Sequence, residues 1–217
     1  MFKQDLFAQF ARVGKALSNG NRLELLEFLA QAERSVDELA KLAGLSVANT
    51  SQHLQQLRQV GLVSSSKRGL KVYYQISGDD VVDLLNRLRQ VSEQHLADVN
   101  QLVDTYLTVK DELEPVPRDE LMARVRQGLV TVIDVRPAEE FAAGHVPGAI
   151  NVPPDELEQR LKSLDSAQEV VAYCRGAHCI LSFDAVEKLR EQGVKASRLE
   201  EGFPEWKSAG YPVELSA

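Results

Sequence analysis

The sequence predicts two domains of different class: a mainly α-helical half, then an α/β half built on a parallel sheet. Three observations predict it. Apolar residues in the first hundred positions recur at helical spacing, segment 111–117 sets two prolines among acidic residues, and beyond it short apolar runs alternate with helical patterns. At 217 residues the chain is long enough for two cores, each of about 100 residues.

Hydrophobic residues at 44% and charged residues at 26% are those of a soluble globular protein. No apolar run approaches the ~18–20 residues of a membrane span, and Met1-Phe2-Lys3-Gln4-Asp5 lacks the layout of a signal peptide. A cytoplasmic location with no membrane partner is expected. The net charge of −7 argues against nucleic acid until it is divided along the chain. Residues 1–77 hold ten Lys/Arg against six Asp/Glu, while residues 78–217 hold fifteen against twenty-six. A basic segment on an acidic chain suits a DNA-facing module.

Phe2, Leu6, Phe10, Val13 and Leu17 predict a helix over 2–17. Ser18-Asn19-Gly20-Asn21 interrupts it and caps a second helix over 22–31. Ser35-Val36-Asp37-Glu38 has capping-box spacing and opens a short helix to 41 or 42. Ala43-Gly44-Leu45 is a turn, and Ser46 caps a helix to about 60, closed by Gly61. Strands over 62–66 and 71–76 flank Lys67-Arg68-Gly69-Leu70, a hairpin with a basic tip. One long helix is expected from 79 to about 110, with Val81, Leu85, Leu88, His95, Val99, Leu102 and Tyr106 along a seam. At roughly 45 Å it is too long to bury against one small domain. Its expected partner is the same helix of a second chain, making a homodimer. Past the linker, 130–135, 149–152, 170–173 and 196–199 read as strands, and 154–162 and 181–192 as helices.

Helix, glycine-containing turn, helix and basic hairpin, in that order, make a winged helix-turn-helix. Thr50, Leu54 and Leu57 should pack inward. Val47, Ala48, Ser51 and Gln52 should face a major groove, where glutamine can grip adenine with two bonds. Asn49, His53 and Gln56 are backbone or second-tier contacts, and Lys67 and Arg68 meet phosphate or the minor groove. The competing reading is a solvated polar face. The implied partner is a double-stranded DNA operator. The stretch from Gly44 to Arg58, followed by Val60-Gly61-Leu62-Val63, has an S-x-x-x-x-S-x-H-L-x-x-L-x-x-x-G-L-V skeleton. Over roughly residues 1–110 it resembles the ArsR/SmtB family of small dimeric repressors. Members with a metal site on the long helix use Asp-x-His near its start, but no histidine follows Asp79, Asp80 or Asp83 here. The cysteine pair that others carry in the recognition region is also missing. His95, near Asp98 on the apolar seam, reads as a packed interface histidine, and no metal site is expected in this half.

In the other half, Cys174-Arg175-Gly176-Ala177-His178-Cys179-Ile180 joins an apolar strand pattern to a helical one. A thiol at such a turn sits among backbone N–H groups at the positive end of a helix dipole, which favours the nucleophilic thiolate. Two cysteines five apart in one loop suggest redox or transfer chemistry rather than a structural staple. Val132-Ile133-Asp134-Val135-Arg136, Glu140-Phe141, the run from Gly144 to Pro153, Leu199-Glu200-Glu201-Gly202-Phe203 and Trp206 surround it in sequence. Together these make residues 118–215 resemble a single rhodanese domain. The resemblance implies Cys174 as nucleophile, with Asp134, Arg136, Glu140 and His145 supporting the fold. A phosphate-cradling Cys-x5-Arg loop would need arginine where Ile180 stands, which disfavours phosphatase chemistry.

Cys174 thiolate can attack the sulfane sulfur of thiosulfate, a polysulfide or a persulfide. Arg175 and His178 either steer an anionic donor or face solvent. Cys179 departs from a plain rhodanese, in which arginine, lysine or a small polar residue is common at that place. It either resolves a Cys174 persulfide or sulfenic acid into a bridge, or stays inert. The expected domains are 1–110 for DNA binding and dimerisation, a linker over 111–117, and a rhodanese domain over 118–217. The leading expectation is a transcriptional repressor whose rhodanese domain senses or transfers sulfane sulfur, with no cofactor. Two alternatives stay open. One is a sulfurtransferase with the winged helix as dimerisation module; the other is a thiophilic metal or arsenic sensor using Cys174, Cys179 and His178.

Overall fold

The computed structural model describes residues 1–108, 115–160 and 168–216. It divides into two compact units, Met1–Leu85 and Asn86–Ala217.

In the first unit, α1 (Phe2–Leu17) is followed by α2 (Gly20–Gln31), which starts two residues before the expected Arg22. The reason is Asn19, whose side chain accepts from the Arg22 N–H at 3.2 Å and so sets the cap. A two-residue strand, β1 (Arg34–Ser35), precedes α3 (Val36–Leu42). The capping box forms as expected: the Ser35 N–H donates to Glu38 Oε2 at 2.7 Å, and Ser35 Oγ accepts from the Glu38 N–H at 3.4 Å. The backbone bond from Ser35 holds the Glu38 carboxyl below its ordinary range. Next comes α4 (Val47–Gln59), capped by Ser46, whose side chain accepts from the Asn49 N–H at 3.2 Å.

The wing is β2 (Val63–Arg68) paired antiparallel with β3 (Lys71–Ile76), in register from Val63 opposite Ile76 to Arg68 opposite Lys71. Strand β1 pairs with the other edge of β3. The expected four-residue tip is therefore corrected to a two-residue one, because Gly69 at φ +61° supplies the left-handed backbone a tight hairpin needs. Lys67 and Arg68 belong to the strand. Leu25, Leu26, Leu39, Leu54 and Leu57 are fully buried in this unit's core, with Tyr74 and Val81 beside them.

The single long helix is also corrected. Helix α5 (Asp79–His95) stops, Leu96 turns to extended backbone at φ −109°, and α6 (Ala97–Val103) and a π-helical turn over Asp104–Thr108 follow. One turn before the break, Ser92 returns its hydroxyl to the Leu88 carbonyl at 2.8 Å, a bond that bends helices. The expected end of that helix at 109–110, and 111–114 of the linker, lie outside the described residues.

The second unit continues with α7 (Arg118–Arg126), β4 (Val130–Asp134), α8 (Ala138–Ala143), β5 (Ile150–Asn151), α9 (Leu157–Arg160), β6 (Glu169–Tyr173), α10 (Ile180–Glu191), β7 (Ala196–Arg198) and α11 (Phe203–Ser208). The four strands run parallel in the order β5-β4-β6-β7. Side chains alternate across the sheet. Val170, Ala172 and Cys174 pack with Ala185, Val186 and Leu189 of α10, whereas Val171 and Tyr173 pack with Leu121, Phe203 and Trp206. Cys174 therefore continues the β6 alternation into the α10 side of the core. The predicted helix over 154–162 shortens to Leu157–Arg160, and 161–167 lie outside the described residues. Among the described residues no helix is long and apolar enough to cross a membrane.

Candidate functional site

Strand β6 delivers Cys174 to the carboxyl edge of the sheet, where ligands collect in open α/β folds. Residues 175–179 turn the chain into α10, with Cys179 as its N-cap residue. The loop closes through Cys179 N–H to the Gly176 carbonyl at 3.1 Å, and the Phe203 N–H donates to the Cys174 carbonyl at 3.0 Å. Cys174 is 1% exposed and Cys179 is half-buried. Their sulfurs are joined as a disulfide, with Cα atoms 6.1 Å apart, inside the range that a disulfide spans.

The surroundings are built from buried ion pairs. Arg136 meets Asp134 through Nη2 to Oδ2 at 2.6 Å and Nε to Oδ1 at 3.0 Å, and also donates to the Gly144 carbonyl at 2.7 Å. Its guanidinium stacks over Phe203 at 4.2 Å. Burial pushes the Tyr173 hydroxyl well above the ordinary tyrosine range, so it stays protonated while accepting from the Val146 N–H at 3.0 Å. His145 stacks on Phe141 and shares Nδ1 with the Phe141 carbonyl at 3.0 Å. Asp134, Arg136, Glu140 and His145 all hold the frame rather than lining an open site.

Arg175 is engaged within the protein, its side chain 15% exposed. Its guanidinium lies on the carboxylate of Glu140, with bonds of 2.7, 2.9 and 3.1 Å, and that carboxylate neutralises it. His178 is one-third exposed, with Nε2 3.4 Å from Glu93 Oε1. Burial holds its imidazole below the ordinary value of 6.5; Glu93 opposes this, and Arg89 and Arg198 add to it. His178 is thus neutral near pH 7.

Gly202, quoted in sequence only as part of a motif, completes the site with Glu205 and Arg89, which the sequence reading passed over. Gly202 approaches the loop so closely that an added Cβ would collide with the Gly176 nitrogen and the Arg175 carbonyl. Its N–H donates to Glu205 Oε2 at 3.1 Å, and Glu205 Oε1 takes Arg89 Nη1 at 2.9 Å. The Arg89 guanidinium reaches over Gly176, where a Cβ would lie 3.6 Å from Nη2. Arg89 and Glu93 stand four apart with opposite charge on one helix, a pattern that could have flagged them. Among the described residues, no group of three or more His, Cys, Asp or Glu is placed to hold a metal ion.

In the first unit, Val47, Ala48, Asn49 and Gln52 are exposed at the start of α4, while Thr50, Leu54 and Leu57 are buried on its other side. Ser51 and His53 are half-buried; Ser51 Oγ accepts from Gln55 at 3.4 Å, and His53 Nδ1 is buried with no bond among the described residues. Gln56 turns inward to buried Arg22, which also donates to the Lys15 carbonyl at 2.8 Å. Arg22, missed in sequence, thereby ties the α1–α2 turn to α4. Arg68 is held by Glu33 at 2.6 Å and over the Tyr73 ring, whereas the Lys67 side chain is exposed and makes no bond among the described residues.

Comparison with known proteins follows the same division. Residues 19–65 match the model for "Bacterial regulatory protein, arsR family", and residues 117–209 match "Rhodanese-like domain". The HTH-type transcriptional regulator Rv0324 of Mycobacterium tuberculosis is 44% identical over 99% of this chain and 94% of its own length. A solution structure described as the homodimeric winged helix-turn-helix DNA-binding domain Mb0332 of Mycobacterium bovis is 43% identical, covers 44% of this chain and 89% of its own, and superposes with a TM-score of 0.41. A rhodanese-related protein of Thermoplasma volcanium is 31% identical over 48% of this chain and 99% of its own, with a TM-score of 0.43. With a relative matched end to end and both halves recognised separately, the chain belongs to the ArsR family of transcriptional regulators, in a form that carries a rhodanese-like domain.

Proposed function

We propose that this regulator senses sulfane sulfur through Cys174 and stores the signal as the Cys174–Cys179 bridge. One observation carries the reading: the two sulfurs are joined within a single strand-to-helix loop. The donor is a persulfide or polysulfide, or thiosulfate. With a low-molecular-weight persulfide, the Cys174 thiolate attacks the outer sulfur, R–S–SH, giving Cys174–S–SH and releasing R–S⁻. The Cys179 thiolate then attacks the inner sulfur of Cys174, forming the bridge and releasing HS⁻. Two thiols lose two electrons in all, and the sulfane sulfur gains them as hydrosulfide.

On the DNA side, the exposed amino-terminal turn of α4 enters the major groove of an operator, with Gln52 as base reader and Lys67 on phosphate. The chain acts as a cytoplasmic homodimer. Support comes from the apolar side chains left exposed on α1, with Phe2 at 81%, Phe7 at 58% and Phe10 at 59%, and from exposed Leu88, Val91 and Leu102. Reduced protein binds the operator and bridged protein releases it.

The test is mass spectrometry of reduced protein given a polysulfide. The Cys179→Ser variant should stop with one added sulfur on Cys174, and the wild type should lose two hydrogens and release hydrosulfide. Sulfur retained on Cys174→Ser would sink this assignment. Turnover with thiosulfate and an acceptor thiol, with operator affinity unchanged, would instead favour the sulfurtransferase reading.

A further inference from the structure

Within the second unit, two charged residues of α5 touch the cysteine loop and its support. Arg89 Nη1 is 2.9 Å from Glu205 Oε1, and the same guanidinium covers Gly176. Glu93 Oε1 is 3.4 Å from His178 Nε2. The two stand four residues apart, one turn of helix, and so share a face. Both contacts end at the cysteine loop or at the residue that supports it. Gly176 and His178 lie between the two cysteines in sequence, and Glu205 bonds Gly202, which braces the loop's backbone.

Helix α5 runs unbroken from Asp79 to His95, and its first turns contribute Val81 and Leu85 to the core of the winged-helix unit. Helix α5 therefore supplies core residues to the winged-helix unit from its first turns and, within the second unit, Arg89 and Glu93 from its later ones. The Arg89–Glu205 side chains are 28% and 8% exposed, so this pair is shielded more than a surface bridge.

We propose that Arg89 and Glu93 form the latch through which the state of the Cys174–Cys179 loop biases the DNA-binding half. The proposal rests on the sensing reading above for its signal. Making or breaking the bridge changes the backbone that carries Gly176 and His178, and so changes what the Arg89–Glu93 face can hold. A ligand or bond shifts an equilibrium only by differing between its states, and this face supplies the difference. Arg89 and Glu93 are positioning residues and take no part in sulfur transfer.

The test uses full-length protein, bridged or reduced, and a duplex enriched by the reduced wild type from a random-sequence library. Hydrogen–deuterium exchange over residues 86–95 should change on reduction in the wild type, and operator affinity should change about tenfold. In Arg89→Gln/Glu93→Gln both responses should fall below about twofold, while Cys174 still takes up sulfur and the bridge still forms. Arg89→Lys, which keeps the charge, should retain the exchange response. A wild type with no exchange change on reduction, or a double variant that responds fully, overturns the latch. If reduction moves residues 86–95 and affinity while no donor loads Cys174, the latch stands and the sulfane-sulfur reading falls.

Discussion

Glu140, whose side chain is wholly buried, receives the guanidinium of Arg175 on both carboxylate oxygens. The arginine beside Cys174 is thereby a structural cation, and the loop's first residue is anchored to α8. Removing it leaves a buried carboxylate short of this partner. Arg175→Ala should destabilise the second unit by about 3 kcal/mol, toward the low end for a broken buried pair. Urea unfolding followed by tryptophan fluorescence, with Trp206 as the probe, measures it. A loss within a few tenths of a kcal/mol would mean that solvent replaces the guanidinium.

Gly202 gives the second prediction. Because a Cβ there meets loop backbone rather than a flexible side chain, Gly202→Ala must push residues 175–176 away. The expected cost is about 1–3 kcal/mol, as for other overpacked sites. The rate of Cys174 alkylation after reduction should change as well. Wild-type stability together with wild-type alkylation would show that the loop yields freely.

DNA contact separates two basic neighbours. The Lys67 side chain is free of protein partners among the described residues, whereas Arg68 is held by Glu33. Lys67→Ala should weaken binding to all sequences and flatten its salt dependence, and Arg68→Ala should do so less. Gln52→Ala should cost about 1–3 kcal/mol at one base pair and little elsewhere. Anisotropy titrations at several salt concentrations distinguish these outcomes.

His178 makes stability depend on pH. Burial keeps it neutral in the folded chain below its ordinary value of 6.5. As pH falls through that value, the unfolded chain takes up a proton before the folded one does. Stability therefore drops on acidification, between about pH 7 and the lower folded value. His178→Gln should lose less stability than wild type across this window, measured by thermal melts in matched buffers. Parallel pH curves would show that Glu93 offsets the effect of burial.

Much of this architecture was legible because it is written in local chemistry. Ser35 and Glu38 spell a capping box, Ser46 caps α4, and the apolar run Val170-Val171-Ala172-Tyr173 marks a buried strand. The short helices α7, α8 and α11 escaped the sequence reading. At nine, six and six residues they are too brief for a periodic pattern, and α7 buries only Leu121. The break at Leu96 has neither proline nor glycine to announce it. The cysteine loop was visible as a motif, but the commitment of Arg175 to Glu140, 35 residues away, was not. Pairing at that distance depends on the packed sheet, which puts the ends of β4 and β6 side by side.

Cys174 and Cys179 belong to one loop of one chain. Closing their bond is consequently a first-order event, indifferent to how many copies of the regulator a cell holds. A bridge between two chains would tie its kinetics to assembly and dilution. On the proposed sensing reading, the dose that half-converts the population is governed by the donor's chemistry and by the reductant that reopens the bond. Strong and weak expression should therefore leave the response curve in the same place and alter only its height.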